Sequence, residues 1–282
     1  MSRGVLLVAN NNNSIDYILQ ACFLATRVKQ HLGLPVTLIT DTPEKIKSKY
    51  SMYEHLFDKV IGHVSTSNYT IKTYRDGILK DKQLEFKNSS RASVFDLTPY
   101  DETIVLDTDI LLFNNDFLKC FEQAHDFLIY KHATDLADDS SSRHFKFVSD
   151  SSVEFYWATC IFFRKTNENK IFFDLIKHIQ ENWNHYRLIY QISSGVFRND
   201  FAFSIAIHYM NGMSNGDFAK EFPGRLIYAT DKSELLEVTD EDLLLLLENT
   251  SNVGHYTPMR IKNTNIHFMN KFSLDRLLKN DN

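Results

Sequence analysis

Cysteine is scarce in this chain, and the three present, Cys22, Cys120 and Cys160, form an odd set without the spacing of a metal site. They exclude a disulfide framework and read as reduced, mostly buried thiols of a cytoplasmic protein. Long apolar runs are missing too. The opening run at residues 5–9 is too short for a signal-peptide core, and the five leucines at 243–247 cannot span a bilayer. Neither sign of charge dominates: 36 acidic and 31 basic residues leave a net charge of -5, which gives no global attraction to nucleic acid or an anionic membrane. A glycine-rich phosphate loop, expected of a nucleotidyltransferase, is absent where the first strand ends, since Asn10-Asn11-Asn12-Asn13 stands there. No internal repeat or linker-like composition interrupts the sequence, so one continuous domain is expected over 1–282, in two halves at 1–115 and 116–282.

What is present is core material. Apolar residues make up 43% of the 282, and most of the 22 phenylalanines are expected to fill core positions. Gly4-Val5-Leu6-Leu7-Val8-Ala9 reads as a buried strand, Ser14 as the N-cap of a helix running from Ile15 toward Gly33, and Val36-Thr37-Leu38-Ile39-Thr40-Asp41 as a second strand. This βαβ opening predicts an α/β fold with a mostly parallel central sheet and helices on both faces. Residues 44–53 read as a surface helix, 69–87 as helix or loop, and 91–97 as a helix. Strands are expected at 126–130 and 155–164, with a mobile loop over 133–143 between them. Helices follow at 170–191, 199–209 and 240–248, interrupted by a strand at 224–228, and the chain closes with a strand at 265–268 and a basic helix.

The central stretch is Thr103-Ile104-Val105-Leu106-Asp107-Thr108-Asp109-Ile110-Leu111-Leu112-Phe113. Two carboxylates interrupt a strand-forming run, and an unpaired carboxylate inside it would cost several kcal/mol or be forced to protonate. The pair therefore sits at an exposed strand end or binds something cationic. Strand periodicity puts Asp107 and Asp109 on one face and Thr108 on the other, a geometry for a divalent metal. Hard oxygen ligands suit Mn²⁺ or Mg²⁺ with positions open for substrate phosphates, so a nucleoside diphosphate is the implied ligand.

In the order of its motifs the chain resembles the GT-A fold (Rossmann-like) glycosyltransferases, and most closely the glycogenin and lipopolysaccharide galactosyltransferase group. An apolar strand ending in Asp-x-Asp corresponds to Val105-Leu106-Asp107-Thr108-Asp109, and Arg91 stands where that family has a basic residue facing the donor. Ala9-Asn10 and Tyr17 correspond to its nucleotide pocket. Ala158-Thr159-Cys160-Ile161-Phe162-Phe163 follows the pattern of the strand after its Asn-Ser-Gly motif. Asn199-Asp200-Phe201 keeps the Asp of an Asp-Gln pair, and His267-Phe268-Met269-Asn270-Lys271 keeps the His and Lys of a terminal motif whose Gly is missing here.

The resemblance implies a metal held by Asp107, Asp109 and His267. It also implies a donor site of Ala9, Asn10, Tyr17, Arg91, Thr108 and Lys271 for a nucleotide sugar, a UDP-sugar first, with Asp200 and Arg91 as catalytic residues and retention of anomeric configuration. Asp41, at the end of the second strand, either joins that donor site or opens a turn with Thr42-Pro43. The acceptor (glycan, protein, small molecule or nucleic acid) is not named by any motif. Lys72, Arg75, Lys80, Lys82, Lys87 and Arg91 form a basic-leaning stretch that reads as a solvated face before it reads as a polyanion groove. A nucleotidyltransferase and a non-catalytic nucleotide-sugar-binding protein are the competing readings.

Overall fold

The computed structural model describes residues 1–12, 14–64, 70–77, 80–87, 90–137, 145–150, 152–249, 252 and 254–280. Asn13 and most of the loop expected at 133–143 lie outside them. Strand β1 (Arg3–Val8) is buried from Gly4 onward. Helix α1 (Tyr17–Leu32) follows, capped by Asp16, whose carboxylate accepts the Leu19 N–H at 3.1 Å; the cap is therefore Asp16 and not Ser14. Gly33 ends the helix at φ 63°, a left-handed conformation that glycine adopts without strain. Strand β2 (Val36–Thr40), helix α2 (Glu44–Ser48) and strand β3 (Lys59–Gly62) come next, the helix expected at 44–53 stopping early and continuing as a 3₁₀ turn.

Residues 69–87 correct the sequence reading: strands β4 (Thr70–Asp76) and β5 (Lys80–Phe86) pair as an antiparallel hairpin. The inward positions of β4 are Lys72 and Tyr74, and a lysine there removes the apolar alternation that announces a strand. Helix α3 (Val94–Leu97), strand β6 (Glu102–Leu106) and the two-residue strand β7 (Ile110–Leu111) complete the first half.

The second half holds β8 (Phe127–Tyr130), β9 (Ala133–Asp135), β10 (Trp157–Arg164), α4 (Asn167–Glu181), α5 (Trp183–Ile189) and α6 (Asn199–Met210). It ends with β11 (Lys220–Glu221), β12 (Leu226–Ala229), β13 (Glu234–Val238), β14 (Asp242–Glu248), β15 (Tyr256–Lys262), β16 (Ile266–Phe268) and α7 (Lys271–Asn280). Three expectations change here. Residues 133–135 are strand, the 170–191 helix divides at Asn182, and 240–248 is strand β14 between β13 and β15. A run of five leucines has no period to separate helix from strand, and burial of Leu243, Leu245 and Leu247 shows the alternation that the composition hid.

The main sheet has the order β11-β8-β10-β6-β1-β2-β3, parallel except for β10, and helices flank it. A second sheet, β7-β16-β12-β9, leaves the first where β6 ends. One hydrophobic cluster runs from Val5 to Leu278. Part of it is aromatic: Phe127 of β8 lies 4.6 Å from Phe172 of α4 and 5.4 Å from Phe218, which follows α6. Truncation to Phe127→Ala is expected to lower stability by about 3–5 kcal/mol in urea denaturation, with an unchanged slope. Gly4 is a close approach, because a Cβ there would meet the Tyr100 ring at 2.3 Å. Tyr100 sits in the turn that delivers β6, and its hydroxyl is 2.8 Å from Thr37 Oγ1. Gly4→Ala is expected to cost about 1–3 kcal/mol in the same assay.

Candidate active site

The end of β6 generates the site. After Leu106 the chain leaves the sheet: the Asp107 N–H donates to the Thr159 carbonyl of β10 at 2.9 Å, and the Asp107 carbonyl accepts the Ile110 N–H at 3.1 Å. Asp107 and Asp109 thus do not share one face of a continuous strand, as periodicity predicted. A turn brings their carboxylates together instead, and β7 then joins the second sheet. Antiparallel pairing of β7 with β16 sets His267 opposite Ile110, and the Phe268 N–H donates to the Asp109 carbonyl at 2.9 Å.

This pairing delivers two cation-forming side chains to Asp109. His267 Nε2 lies 3.1 Å from Asp109 Oδ2, and Lys271 Nζ, at the start of α7, donates to the same oxygen at 2.5 Å. Burial of Asp109, 1% exposed, would raise its pKa, but Lys271 and then His267 outweigh it and hold the carboxyl well below the usual range. Burial would lower the Lys271 pKa, and Asp109 reverses that and raises it. Asp109 Oδ1 and His267 Nδ1 are buried and have no hydrogen-bond partner among the described residues. Ligand atoms of Asp107, Asp109 and His267 lie within 4.8 Å of one another. Two carboxylates, one of them with an orphaned buried oxygen, and an imidazole fit a divalent ion. Arg91, buried on the turn before α3, pairs with Asp107. Its burial pulls the guanidinium pKa down while Asp200 and Asp109 oppose the shift.

These groups open onto a cavity of about 550 Å³. Tyr17, Arg91, Asp107, Thr108, Asp109, Asp200, His267 and Lys271 all line it. Ala9, Asn10 and Asp41 do not: Ala9 is buried in the sheet, and Asn10 ties the end of β1 to the Asp41 N–H at 2.8 Å and to the Lys87 carbonyl at 3.1 Å. Tyr17 is buried, with its hydroxyl 3.4 Å from that of Tyr74.

Asp200 lies in the first turn of α6 and reaches the cavity from the second half of the chain. Its Oδ1 accepts the Ala158 N–H at 3.0 Å, and its Oδ2 accepts from Arg198 at 2.9 Å. Burial raises its pKa, but Arg198 and the Ala158 N–H bring the net shift below the ordinary value, so it stays ionised.

The lining also includes residues that the sequence assigns to a solvated face or does not single out. Lys72 and Arg75 reach the cavity from the hairpin, and Trp157, Arg198 and Tyr228 line it from β10, the residue before α6, and β12. Arg198 adjoins the Asn199-Asp200 motif and was within reach of sequence reasoning. Lys72, expected on a solvated face, lines the cavity instead because the hairpin turns it inward. A larger open groove of about 780 Å³, lined by Lys131, Tyr156, His208 and Glu221 among others, holds none of the candidate ligands. The basic-leaning stretch is partly paired, Arg75 with Asp81 at 3.0 Å and Lys87 with Glu85 at 3.7 Å. No helix among the described residues is long and apolar enough to cross a membrane.

No protein-family model and no curated protein matches the chain. Among solved structures it is similar to the glycosyltransferase GlyE of Streptococcus pneumoniae TIGR4, with 12% identity and a TM-score of 0.42 over 74% of this chain and 43% of that one. Mouse xyloside xylosyltransferase 1 gives 13% identity and 0.43 over 78% of this chain and 85% of that one. The galactosyltransferase LgtC, solved with donor and acceptor sugar analogs, gives 10% and 0.42 over 81% and 73%. The chain thus spans less than half the length of GlyE. All three of these solved structures are glycosyltransferases.

Proposed function

We propose that the protein is a metal-dependent glycosyltransferase that moves a sugar from a nucleoside-diphosphate sugar to a hydroxyl acceptor. One observation carries the reading: a single cavity joins a candidate divalent-ion corner, Asp107, Asp109 and His267, to the cations Arg91 and Lys271 and to an ionised Asp200. A diphosphate needs positive charge on its leaving oxygen, and a sugar losing that group develops positive charge at its anomeric carbon. The cavity offers both signs.

In this reading Asp107, Asp109 and His267 hold Mn²⁺ or Mg²⁺, which when bound supplies Lewis-acid stabilisation of the departing diphosphate. Arg91 and Lys271 add fixed positive charge beside it. Both Asp200 oxygens already accept hydrogen bonds and its pKa is lowered, so it serves as a fixed negative charge near the anomeric carbon and is a poor proton acceptor. The bond between that carbon and the diphosphate breaks with its electron pair going to the diphosphate. The acceptor hydroxyl bonds the carbon, and its proton passes to the departing phosphate oxygen.

A thermal-shift screen of nucleoside-diphosphate sugars with and without Mn²⁺ tests the reading. One donor is expected to raise the melting temperature only with the ion, with about 2.7 kcal/mol of stabilisation at a hundredfold excess over Kd. The Asp107→Asn, Asp109→Asn double variant is expected to lose the ion-dependent part, and its persistence there would refute the reading. A second prediction concerns the buried charge. Lys271→Met leaves Asp109 short of a counter-charge and is expected to lower stability by about 3–5 kcal/mol at neutral pH. Because the folded Asp109 pKa lies below its reference of 3.8, the wild-type contribution is present above 3.8 and is lost as pH falls through the folded value. The deficit of the variant should therefore shrink in denaturation curves taken below pH 3.8, and Mn²⁺ should offset part of it at neutral pH.

A further inference from the structure

The cavity carries two further groups, Lys72 and Trp157, that the mechanism above leaves unused. Lys72, on the inward face of β4, lines the cavity with no carboxylate partner among the described residues; its neighbours are rings, Phe86 at 5.3 Å and Tyr74 at 5.6 Å. With Asp200 and Asp109 acting on it only from beyond ion-pair contact, an ammonium set on aromatic faces is placed to receive an anion. Trp157, 1% exposed, lines the same cavity, and its indole N–H has no partner among the described residues. Its ring lies 5.0 Å from Phe145 and 5.3 Å from Tyr228, and both of those rings also line the cavity. Arg198 links the two features, with its guanidinium 5.7 Å over Phe145 and bonded to Asp200.

An aromatic wall with one free donor suits the apolar face and a hydroxyl of a sugar ring. Resting on the glycosyltransferase reading, we propose that this wall is the acceptor subsite and that its ligand is an anionic saccharide, whose ring lies against Phe145, Trp157 and Tyr228 and whose carboxylate or phosphate is taken by Lys72. Burial, with Arg198 and Lys271 nearby, brings the Lys72 pKa down to about 8, as befits an ammonium held ready for a counter-charge. The diphosphate has its own cations in Arg91, Lys271 and the ion, so the Lys72 charge is left for a second anionic group.

Isothermal titration of the full chain with glucuronate, glucose 6-phosphate and glucose, each with and without UDP and Mn²⁺, tests this. At least one charged sugar is expected to bind about tenfold or more tighter than glucose, and the better of the two identifies the anion. Lys72→Met should erase that gap and leave UDP affinity unchanged, while Lys72→Arg should keep it. Trp157→Phe, which keeps a ring and removes the donor, should weaken charged and neutral sugars alike. A melting temperature for Lys72→Met at or above wild type shows that the fold is intact, since the variant removes a desolvated charge. Equal binding of charged and neutral sugars, or no binding of either charged sugar, would overturn the proposal. So would a Lys72→Met variant that loses UDP affinity and spares the charged sugar, because Lys72 would then serve the diphosphate. Absence of UDP binding with the Lys72-dependent gap intact would instead sink the glycosyltransferase reading and leave an anionic-saccharide site.

Discussion

The buried charge of Asp109 is the constraint on which the rest of the structure depends. A carboxylate that is 1% exposed persists only if compensating groups reach it, and here Lys271 brings a charge and His267 a hydrogen bond, 162 and 158 residues further along the chain. The C-terminal segment must therefore return to the end of β6. The β7–β16 pairing aligns His267, and the first residue of α7 supplies the lysine. Once there, α7 is fixed against α1: the Asp16 N–H donates to Asp275 at 3.0 Å, and Gln20 donates to the Lys271 carbonyl at 3.1 Å. Site and fold are closed by the same contacts, so any change that loosens the C-terminal segment also uncovers the charge at the centre.

The parts of this arrangement that were legible in the sequence are those with a local signature. The first strand, the helix ended by Gly33, the second strand and the terminal strand each announce themselves by an apolar run or a terminating residue. The Asp pair was also legible, because carboxylates in an apolar strand demand an explanation, although the reason for their convergence was misjudged. Strand periodicity predicted a shared face; the structure uses a turn, after which the chain changes sheets. What stayed hidden were elements whose inward face is polar. The hairpin of β4 and β5 turns Lys72 and Tyr74 toward the cavity, and no alternation of apolar residues marks it. Its partners are equally remote in sequence: Asp76 pairs with Arg276 at 2.7 Å, and the Gly77 N–H donates to the Asp231 carbonyl at 3.0 Å. Nothing local in 70–86 points to 231 or 276.

That the hairpin resisted reading is connected with what it does. An element that covers an apolar core shows apolar periodicity, whereas one that walls a charged cavity must show the residues the cavity needs. The same logic sets the loop after β1 apart from the site. Asn10 is polar because it joins the strand end to the Asp41 N–H and to the hairpin's Lys87 carbonyl.

The charges lining the cavity sort into pairs and remainders. Arg91 pairs with Asp107, Lys271 with Asp109 and Arg198 with Asp200, while burial shifts Asp231 toward its neutral form. Among the described residues the Oδ1 oxygen of Asp109 has no hydrogen-bond partner, and the ammonium of Lys72 lies near rings with no carboxylate in ion-pair contact. One calls for a positive partner and the other for a negative one, and both line one cavity. A ligand that satisfies both must bring a cation to the Asp109 corner and an anion to the hairpin. On the glycosyltransferase reading proposed above, a metal-bound diphosphate would meet the first demand, and an anion on the acceptor would meet the second.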